Sequence, residues 1–324
     1  MTEYVIETRG LTVHYGPHRG ILDVDLRVEK GEVFGFLGPN GAGKTTMERV
    51  LLDIIRPSAG TATLFQDLDS QKDGVEARRR IGYLPGELAL YADMSAADFF
   101  RMYHSLRSGD PHSSYWRELA ERLGLDTSRE IRHFSRGNKQ KVGIITAFMN
   151  RPELLILDEP TGGLDPLVQQ TVIEMVREAQ QEGATVFFSS HILPEVQAVA
   201  DRVGFIRNGQ LVATKRVEEM IAQHFKRMHL SFTQAPPADA FVLDGVREVE
   251  RINTSGPITG QTITLEVRGG LQALLEVALR YNIQGLETEA VSLEDVFLAY
   301  YDGSDGNDGD SDRSTTNEGD QEHA

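Results

Sequence analysis

The stretch VFGFLGPNGAGKTT, residues 33–46, decides the fold. It opens with a short apolar run typical of a buried strand, and helical periodicity begins after its last glycine. Between them stands the pattern G-x-x-x-x-G-K followed by Thr, whose glycines let backbone N–H groups turn towards an anion at a helix N-terminus. The sequence therefore predicts a phosphate-binding loop made of Gly38, Pro39, Asn40, Gly41, Ala42, Gly43, Lys44, Thr45 and Thr46.

Two side chains of this phosphate loop carry its chemistry. We expect the Lys44 ammonium to contact the β- and γ-phosphates of a nucleotide, and the Thr45 hydroxyl to bind Mg²⁺. The alternative is a glycine-rich turn without a ligand. The strand before the loop and the helix after it disfavour that alternative, because they are the context that phosphate binding requires.

The segment LLILDEP, residues 154–160, supplies a second chemical motif. Its four leading apolar residues indicate a buried strand, and Asp158 and Glu159 follow at the carboxyl end. Because neighbouring strand residues face opposite ways, we predict different roles for the two carboxylates. Asp158 is expected to hold Mg²⁺ through water, and Glu159 to polarise an attacking water. The alternative is a solvated turn after a core strand.

A histidine and a tyrosine are further candidates. His191 ends the apolar run VFFSSH, and parallel sheets place ligands at the carboxyl ends of their strands. We therefore predict a hydrogen bond from His191 to a γ-phosphate oxygen, with a structural histidine as the alternative. Tyr15 lies in VHYG and is predicted to stack on adenine, with an ordinary strand aromatic as the alternative.

The remaining pattern indicates an α/β protein. Short alternating runs in residues 3–37 predict an antiparallel sheet that leads into the buried strand. ELLILD and ATVFFSS predict parallel strands, because the helical PLVQQTVIEMVREAQ separates them. Residues 95–150 are predicted to be mainly helical, with Ser95 as an N-cap.

Composition excludes several classes of function. With 49 acidic against 33 basic residues the formal charge is −16, which disfavours nucleic-acid binding. There is no cysteine, which excludes disulfides and thiolate metal sites. The N-terminus shows no secretion signal, and no apolar run approaches the roughly 20 residues that span a bilayer. We expect a protein that is cytosolic or attached to a membrane through a partner.

At this point a resemblance to a known family is clear. GPNGAGKTT, FSRGN, LLILDEPTGGLDP and SSH occur in the order and spacing of ATP-binding subunits of ABC transporters, over roughly residues 1–222. The resemblance implies a P-loop NTPase core with a parallel sheet, an N-terminal antiparallel β subdomain and a helical insertion. It also implies ATP and Mg²⁺ as cofactors, and ATP hydrolysis as the activity.

Three domains are expected. The ATPase domain covers residues 1–224, with its helical insertion at about 95–150, and a small C-terminal α+β domain covers 225–301. Residues 302–324 carry eight acids against one arginine and are too polar to bury a core, so we expect them to be disordered.

The segment FSRGN, residues 134–138, resembles the family's signature sequence, LSGGQ in its common form. Ser135 and Gly137 are retained, whereas Arg136 replaces a glycine and Asn138 replaces the glutamine. The resemblance implies that Ser135, Gly137 and Asn138 bind the γ-phosphate of ATP held by the other subunit. It also implies that Asp165, in GGLDP, lies in a loop that links the two sites.

One position departs from the family pattern. After IGYLP the family has a glutamine that contacts the metal and the membrane subunit, whereas here Gly86 and then Glu87 follow. Glycine has no side chain that can bind a metal. Water completes the magnesium shell, or Glu87 replaces the glutamine, or coupling works differently. Of the side chains, Glu87 is the candidate metal ligand.

The resemblance implies an ATP-hydrolysing subunit that forms a homodimer around two ATP molecules and drives a separate, multi-spanning permease. The segment SLEDVFLAYY resembles the end of the C-terminal extension on ATPases of the drug-resistance type of ABC exporter, which favours export. We expect a peripheral protein on the cytoplasmic face of the cell membrane. The alternative is a soluble ABC-type ATPase with a regulatory role outside transport.

Overall fold

The computed structural model describes residues 3–108, 115–223, 226–234, 236–254, 260–267 and 271–289, and the chain divides into two units, Met1–Met220 and Ile221–Ala324. The strands of the first unit are β1 (Tyr4–Tyr15), β2 (His18–Glu29), β3 (Val33–Leu37), β4 (Ala59–Leu64), β5 (Leu68–Asp69), β6 (Ile81–Leu84), β7 (Leu154–Asp158), β8 (Thr185–Ser190), β9 (Arg202–Arg207) and β10 (Gln210–Arg216). The helices before residue 224 are α1 (Lys44–Leu51), α2 (Gly74–Arg79), α3 (Ala96–Ser108), α4 (Tyr115–Arg122), α5 (Arg136–Phe148), α6 (Pro166–Gln181), α7 (Leu193–Val199) and α8 (Val217–Gln223), with a single 3-10 turn at Ile131–His133.

A six-stranded sheet of order β10-β9-β3-β8-β7-β6 forms the centre of the first unit, and all its pairings are parallel except β9–β10. Every residue of β3, β7 and β8 is buried, as expected of parallel strands covered on both faces. Leu37 pairs with Ser190, and Asp158 pairs with Ser189. The carboxyl ends of these three strands therefore lie side by side. The predicted α/β fold with a parallel sheet is confirmed.

A second sheet of order β2-β1-β4-β5 is antiparallel, as the alternating runs near the N-terminus predict. Strands β4 and β5 were not anticipated. Residues of both sheets share one hydrophobic core with helix α1, including Leu11, Phe34, Met47 and Phe187. The antiparallel sheet thus packs over the helix that begins at the phosphate loop.

The predicted helical region contains α3, α4 and α5. Ser95 is the N-cap before α3: its hydroxyl accepts a hydrogen bond from the Asp98 N–H (3.1 Å) and donates one to the Asp98 carboxylate (2.6 Å). Phe100 of α3 packs on Trp116 of α4, with ring centroids 5.5 Å apart. The N-cap prediction for Ser95 is confirmed.

The second unit has an antiparallel sheet of order β12-β13-β11-β14 with one helix against it. Its elements are β11 (Lys226–Phe232), β12 (Val246–Thr254), β13 (Gly260–Val267), α9 (Leu271–Arg280) and β14 (Ile283–Glu289). Its core includes Leu230, Ile263 and Leu274. The segment SLEDVFLAYY and the acidic tail 302–324 lie outside the described residues. None of the helices that the structure describes has the length and apolar character needed to cross a membrane.

Candidate functional site

An open cavity of about 420 Å³ lies at the carboxyl edge of the parallel sheet. Most of the residues predicted for a nucleotide site line it. The cavity is lined by Tyr15, Arg19, Gly20, Asn40, Gly41, Gly43, Lys44, Thr45, Thr46, Gly86, Asp158 and Glu159. The fold thus brings together the phosphate loop after β3, the carboxylates after β7 and the tyrosine at the end of β1. Arg19 and Gly20 were not anticipated.

The phosphate loop needs glycine at two positions. Gly43 has φ +115° and precedes α1, whose N-terminus has no side-chain cap. A β-carbon on Gly38 would lie 2.4 Å from the carbonyl oxygen of Ile206, so only glycine fits against β9. The uncapped N–H groups at the start of α1 are therefore available to an anion.

Lys44 is only 6% exposed and lies at the base of the loop. Its ammonium donates to the carbonyl oxygens of Gly38 (2.7 Å) and Pro39 (3.3 Å), and lies 4.0 Å from Glu159 Oε1. Burial lowers the pKa of Lys44 below its ordinary value, and the nearby carboxylates, Glu159 first, oppose that shift. The loop carbonyls thus hold this cation in place before any phosphate is present.

Asp158 is 4% exposed and accepts hydrogen bonds at both of its oxygens. Thr45 Oγ1 donates to Oδ2 (2.9 Å), and Ser189 Oγ donates to Oδ1 (2.8 Å). A β-carbon on Gly86 would lie 3.0 Å from Oδ2. The carboxylate is therefore fixed against the Thr45 hydroxyl, as a shared metal site requires. Ser189 was missed, although it stands in the SSH motif.

Glu159 begins the loop after β7 in a left-handed conformation, with φ +47°. Strand alternation therefore does not apply to the carboxylate pair, because β7 ends at Asp158. Both side chains line the same cavity, which corrects our expectation that they face opposite ways. The Glu159 N–H donates to the Ser189 carbonyl (3.0 Å), which ties the residue to the neighbouring strand. A non-glycine residue held in this region costs on the order of 1–3 kcal/mol, which the surrounding contacts must offset.

His191 follows β8 and contacts the Glu159 carboxylate, with Nδ1 2.8 Å from Oε1. The histidine side chain is 46% exposed, so its second ring nitrogen is accessible to a ligand. The sequence predicted a phosphate contact for His191 and did not anticipate the contact with Glu159. The pair is brought together because β7 and β8 are adjacent in the sheet.

A third carboxyl group lies behind the cavity. Glu48 of α1 is 0% exposed, and its carboxyl group lies beside Asp158 and Ser189. Burial, and then the nearby charge of Asp158, raise the pKa of Glu48 well above its ordinary value. Burial, and then the charges of Glu48 and Asp158, raise the pKa of Tyr83. Glu48 stands four residues after Lys44, which puts the two side chains on one face of α1.

Four predicted site residues lie apart from the cavity. Ser135 is the N-cap of α5 and accepts a hydrogen bond from the Asn138 N–H (3.3 Å). Asp165 is the N-cap of α6 and accepts one from the Val168 N–H (3.1 Å). The described residues that line the cavity do not include Ser135, Gly137, Asn138 or Asp165.

Glu87 also lies apart from the cavity. Its side chain is exposed, whereas Gly86 beside it lines the wall. In the part of the chain that the structure describes, no three His, Cys, Asp or Glu side chains are grouped to hold a metal. Mg²⁺ usually takes one or two protein oxygens and completes its shell with water and phosphate oxygens. The Thr45 hydroxyl and the Asp158 carboxylate fit such a donor set.

Comparison with known proteins gives the family. A family model described as ABC transporter matches residues 21–162. An uncharacterized ABC transporter ATP-binding protein of Bacillus subtilis, YcbN, is 30% identical over 307 residues, which cover 93% of this chain and 98% of that protein. The bacitracin transport ATP-binding protein BcrA of Bacillus licheniformis is 36% identical over 245 residues, which cover 74% of this chain and 78% of that protein.

Comparison with solved structures supports the same family. One described as the ATP-binding subunit of an ABC transporter is similar with a TM-score of 0.63 at 28% identity, covering 68% of this chain and 92% of that chain. The cassette fold of these proteins matches the sheet and phosphate loop described above. The chain therefore belongs to the ATP-binding proteins of ABC transporters, and its activity is that of an ATPase.

Proposed function

We propose that this chain is the subunit of an ABC exporter that hydrolyses ATP, as a homodimer bound to a multi-spanning permease at the cytoplasmic face of the cell membrane. The observation that carries the proposal is the contact of His191 with Glu159, which lines the cavity together with the phosphate loop. A carboxylate oriented by a histidine and placed 4.0 Å from the loop lysine is suited to activate water beside a γ-phosphate.

The described residues divide the work of hydrolysis. Lys44 and the N–H groups at the start of α1 bind the β- and γ-phosphates. Thr45 and Asp158 hold Mg²⁺, which supplies neutralisation of phosphate charge when bound. Glu159 accepts a proton from the water that attacks the γ-phosphorus, while the bond to the ADP oxygen breaks. Nδ1 of His191 orients Glu159. A neutral ring has a single N–H, so it is as an imidazolium that His191 would donate both to Glu159 through Nδ1 and to a γ-phosphate oxygen through Nε2.

The second half of the site comes from a partner subunit in this proposal. Ser135, Gly137 and Asn138 lie at the start of α5, away from the phosphate loop of their own chain. An exposed serine at a helix N-terminus presents a hydroxyl and backbone dipoles to an anion. Two copies related by a two-fold axis would each offer this segment to the other's ATP, which makes the interface isologous.

Export is the direction we propose for transport. The bacitracin transport ATP-binding protein resembles this chain over 74% of its residues, and the segment SLEDVFLAYY resembles the end of the extension on ATPases of the drug-resistance type of exporter. The proposal of a permease rests on the family, because the relatives of this chain are named as ATP-binding proteins of transport systems. Isolation of the tagged protein from detergent-solubilised membranes tests this: a multi-spanning protein should copurify with it. Copurification of only soluble proteins would favour the regulatory alternative.

The hydrolytic roles are tested with Glu159→Gln, which keeps the size of the side chain and removes the base. We expect normal ATP binding, loss of turnover, and an ATP-bound dimer that light scattering detects. A variant that turns over ATP at the normal rate would exclude Glu159 as the general base. Lys44→Ala serves as the comparison, because it should lose nucleotide binding as well.

The shared site is tested by mixing Lys44→Ala subunits with Ser135→Arg subunits. If the signature segment acts on the partner's ATP, both lesions fall in one site and the other site is intact. If it acts on its own subunit's ATP, each site carries one lesion. Nucleotide trapped at one site per mixed dimer supports the proposal, and no trapped nucleotide contradicts it.

A further inference from the structure

One face of α5 contacts the loop that carries Glu159. Gln140, in the second turn of α5, is 9% exposed, and its amide donates to the carbonyl oxygens of Glu159 (3.3 Å) and Pro160 (3.2 Å). A side-chain amide has two N–H donors, so one glutamine can satisfy two consecutive carbonyls. The first peptide groups after the proposed general base are therefore held by the signature helix.

The position of these carbonyls fixes the direction of the Glu159 side chain. The Glu159 carbonyl also accepts a hydrogen bond from the Gly162 N–H (3.0 Å). The Glu159 N–H donates to the Ser189 carbonyl. These bonds hold Glu159 at φ +47°. Non-glycine residues prefer negative φ, so Glu159 would not keep this conformation in a free chain. A return to negative φ would rotate the carbonyl away from Gln140 and turn the carboxylate away from His191.

The first turn of α5 contacts the same loop further along. A β-carbon on Gly137 would lie 3.1 Å from the Gly163 carbonyl oxygen, so the two backbones pack closely. The Arg136 side chain lies over Gly163, with Nε 3.5 Å from where a β-carbon of Gly163 would project. A displacement at the start of α5 is thus transmitted to the loop by direct contact as well as by Gln140.

We propose that Gln140 is a positioning residue that couples the partner's ATP, bound at Ser135, to the orientation of Glu159 in its own subunit. The inference rests on the dimeric site proposed above. Ser135 and Gln140 lie on one rigid helix, and Gln140 contacts the backbone of the base itself. Contact of a γ-phosphate with Ser135 therefore fixes the helix that fixes Glu159, so that a subunit hydrolyses its own ATP only after binding its partner's.

A second glutamine holds the other end of the loop. Gln169 of α6 donates to the carbonyl oxygens of Thr161 (3.3 Å) and Leu164 (3.2 Å). Neither of its bonds is to the carbonyl of Glu159 itself, which Gln140 binds. The two glutamines thus divide the loop between them, and the effect on the general base is assigned to Gln140.

The test replaces Gln140 by Met, which has a similar length and no donor. Gln180→Met is the matched control, because Gln180 also donates to two acceptors, Gly31 O (3.2 Å) and Asp201 Oδ2 (2.7 Å), outside the cavity. For Gln140→Met we expect kcat to fall by about 10- to 100-fold, the effect of a misplaced base, with little change in KM for ATP. The variant should still form an ATP-bound dimer by light scattering, and should retain it longer than the wild type.

The turnover and dimerisation of Gln140→Met decide whether Gln140 positions Glu159. Turnover equal to that of Gln180→Met would overturn the role of Gln140, as would a loss of dimer formation that fully explains the loss of turnover. If Gln140→Met does not fold, Gln140→Asn keeps the amide but reaches fewer carbonyls. It should give an intermediate kcat, and wild-type turnover would contradict the proposal. Failure of the wild type to dimerise with ATP would instead contradict the proposed function.

Discussion

Replacing Ser135 by Asp separates two roles that one hydroxyl would combine. The Ser135 oxygen accepts the Asn138 N–H at 3.3 Å and caps α5, which leaves its proton free to donate to a phosphate. Aspartate is as good an N-cap as serine, so the monomer should keep its stability. Its carboxylate cannot donate, and it would repel the γ-phosphate. We therefore expect a stable monomer with a much weaker ATP-bound dimer.

The magnitude follows from the two-fold symmetry of the proposed dimer. One lost hydrogen bond to a charged group costs about 1.5–3 kcal/mol, and two are lost per dimer, so about 3–6 kcal/mol. At about 1.4 kcal/mol for each factor of ten, the dissociation constant rises by about 10²- to 10⁴-fold before repulsion is added. Ser135→Ala is the comparison, because it loses the cap as well and destabilises the monomer by about 1 kcal/mol.

The assay measures dimerisation by analytical ultracentrifugation with ATP and Mg²⁺, in a Glu159→Gln background that prevents hydrolysis. Thermal unfolding of the nucleotide-free protein reports on the cap. Ser135→Asp should unfold at the temperature of its parent and fail to dimerise at concentrations where the parent is dimeric. An Asp variant that dimerises as tightly as its parent would show that Ser135 does not face a phosphate.

Three further predictions concern other parts of the first unit. Glu48→Leu removes a carboxyl that is fully buried beside the charge of Asp158, and should stabilise the nucleotide-free protein by about 1–3 kcal/mol, seen in denaturant unfolding; a loss of stability would mean that the contacts of Glu48 outweigh the cost of burying it. The paired Arg80 guanidinium (2.7 and 2.6 Å) lowers the pKa of Glu153 below its ordinary 4.5, so that the pair stabilises the fold above that pH and less as pH falls through the folded-state pKa. Glu153→Gln should therefore lower the melting temperature more at pH 7 than at pH 3, and an equal loss at both would contradict it. Tyr15→Ala should raise KM for ATP about 2- to 10-fold through lost stacking and leave kcat unchanged, whereas an unchanged KM would remove Tyr15 from the adenine site.

The phosphate loop was predictable because all of its information is local. A strand, a glycine-rich turn and a helix follow one another in fourteen residues, and Gly38, Gly43 and Lys44 each have a fixed task in that order. The parallel sheet was predictable for a similar reason, since dense apolar strands separated by a helix have few other arrangements. Strand β4, which is short and half exposed, lacks such a pattern.

The geometry around Glu159 was not predictable, because it depends on contacts between distant segments. No residue of LLILDEP predicts a left-handed backbone conformation at Glu159. Alternation along the strand predicted instead that the Asp158 and Glu159 side chains face opposite ways, whereas both line the cavity. Gln140 stands in a run of polar residues that looks like a solvated helix face, yet it is buried against Glu159 and Pro160. Glu48 likewise reads as a surface residue of α1 until the sheet covers it.

The loop from Glu159 to Asp165 is held by neutral groups, and this has a consequence for the conditions under which the enzyme works. Gln140 and Gln169 bind carbonyl oxygens through amides, which do not titrate and carry no net charge. Dissolved salt screens interactions between charges, so it should hardly weaken these hydrogen bonds between neutral groups. Wide changes in ionic strength should therefore leave the backbone of this loop in place, although the chain carries a formal charge of −16. Any dependence of turnover on salt should then arise from contacts between charged groups, at Lys44 and at the start of α5, where the partner's nucleotide would bind.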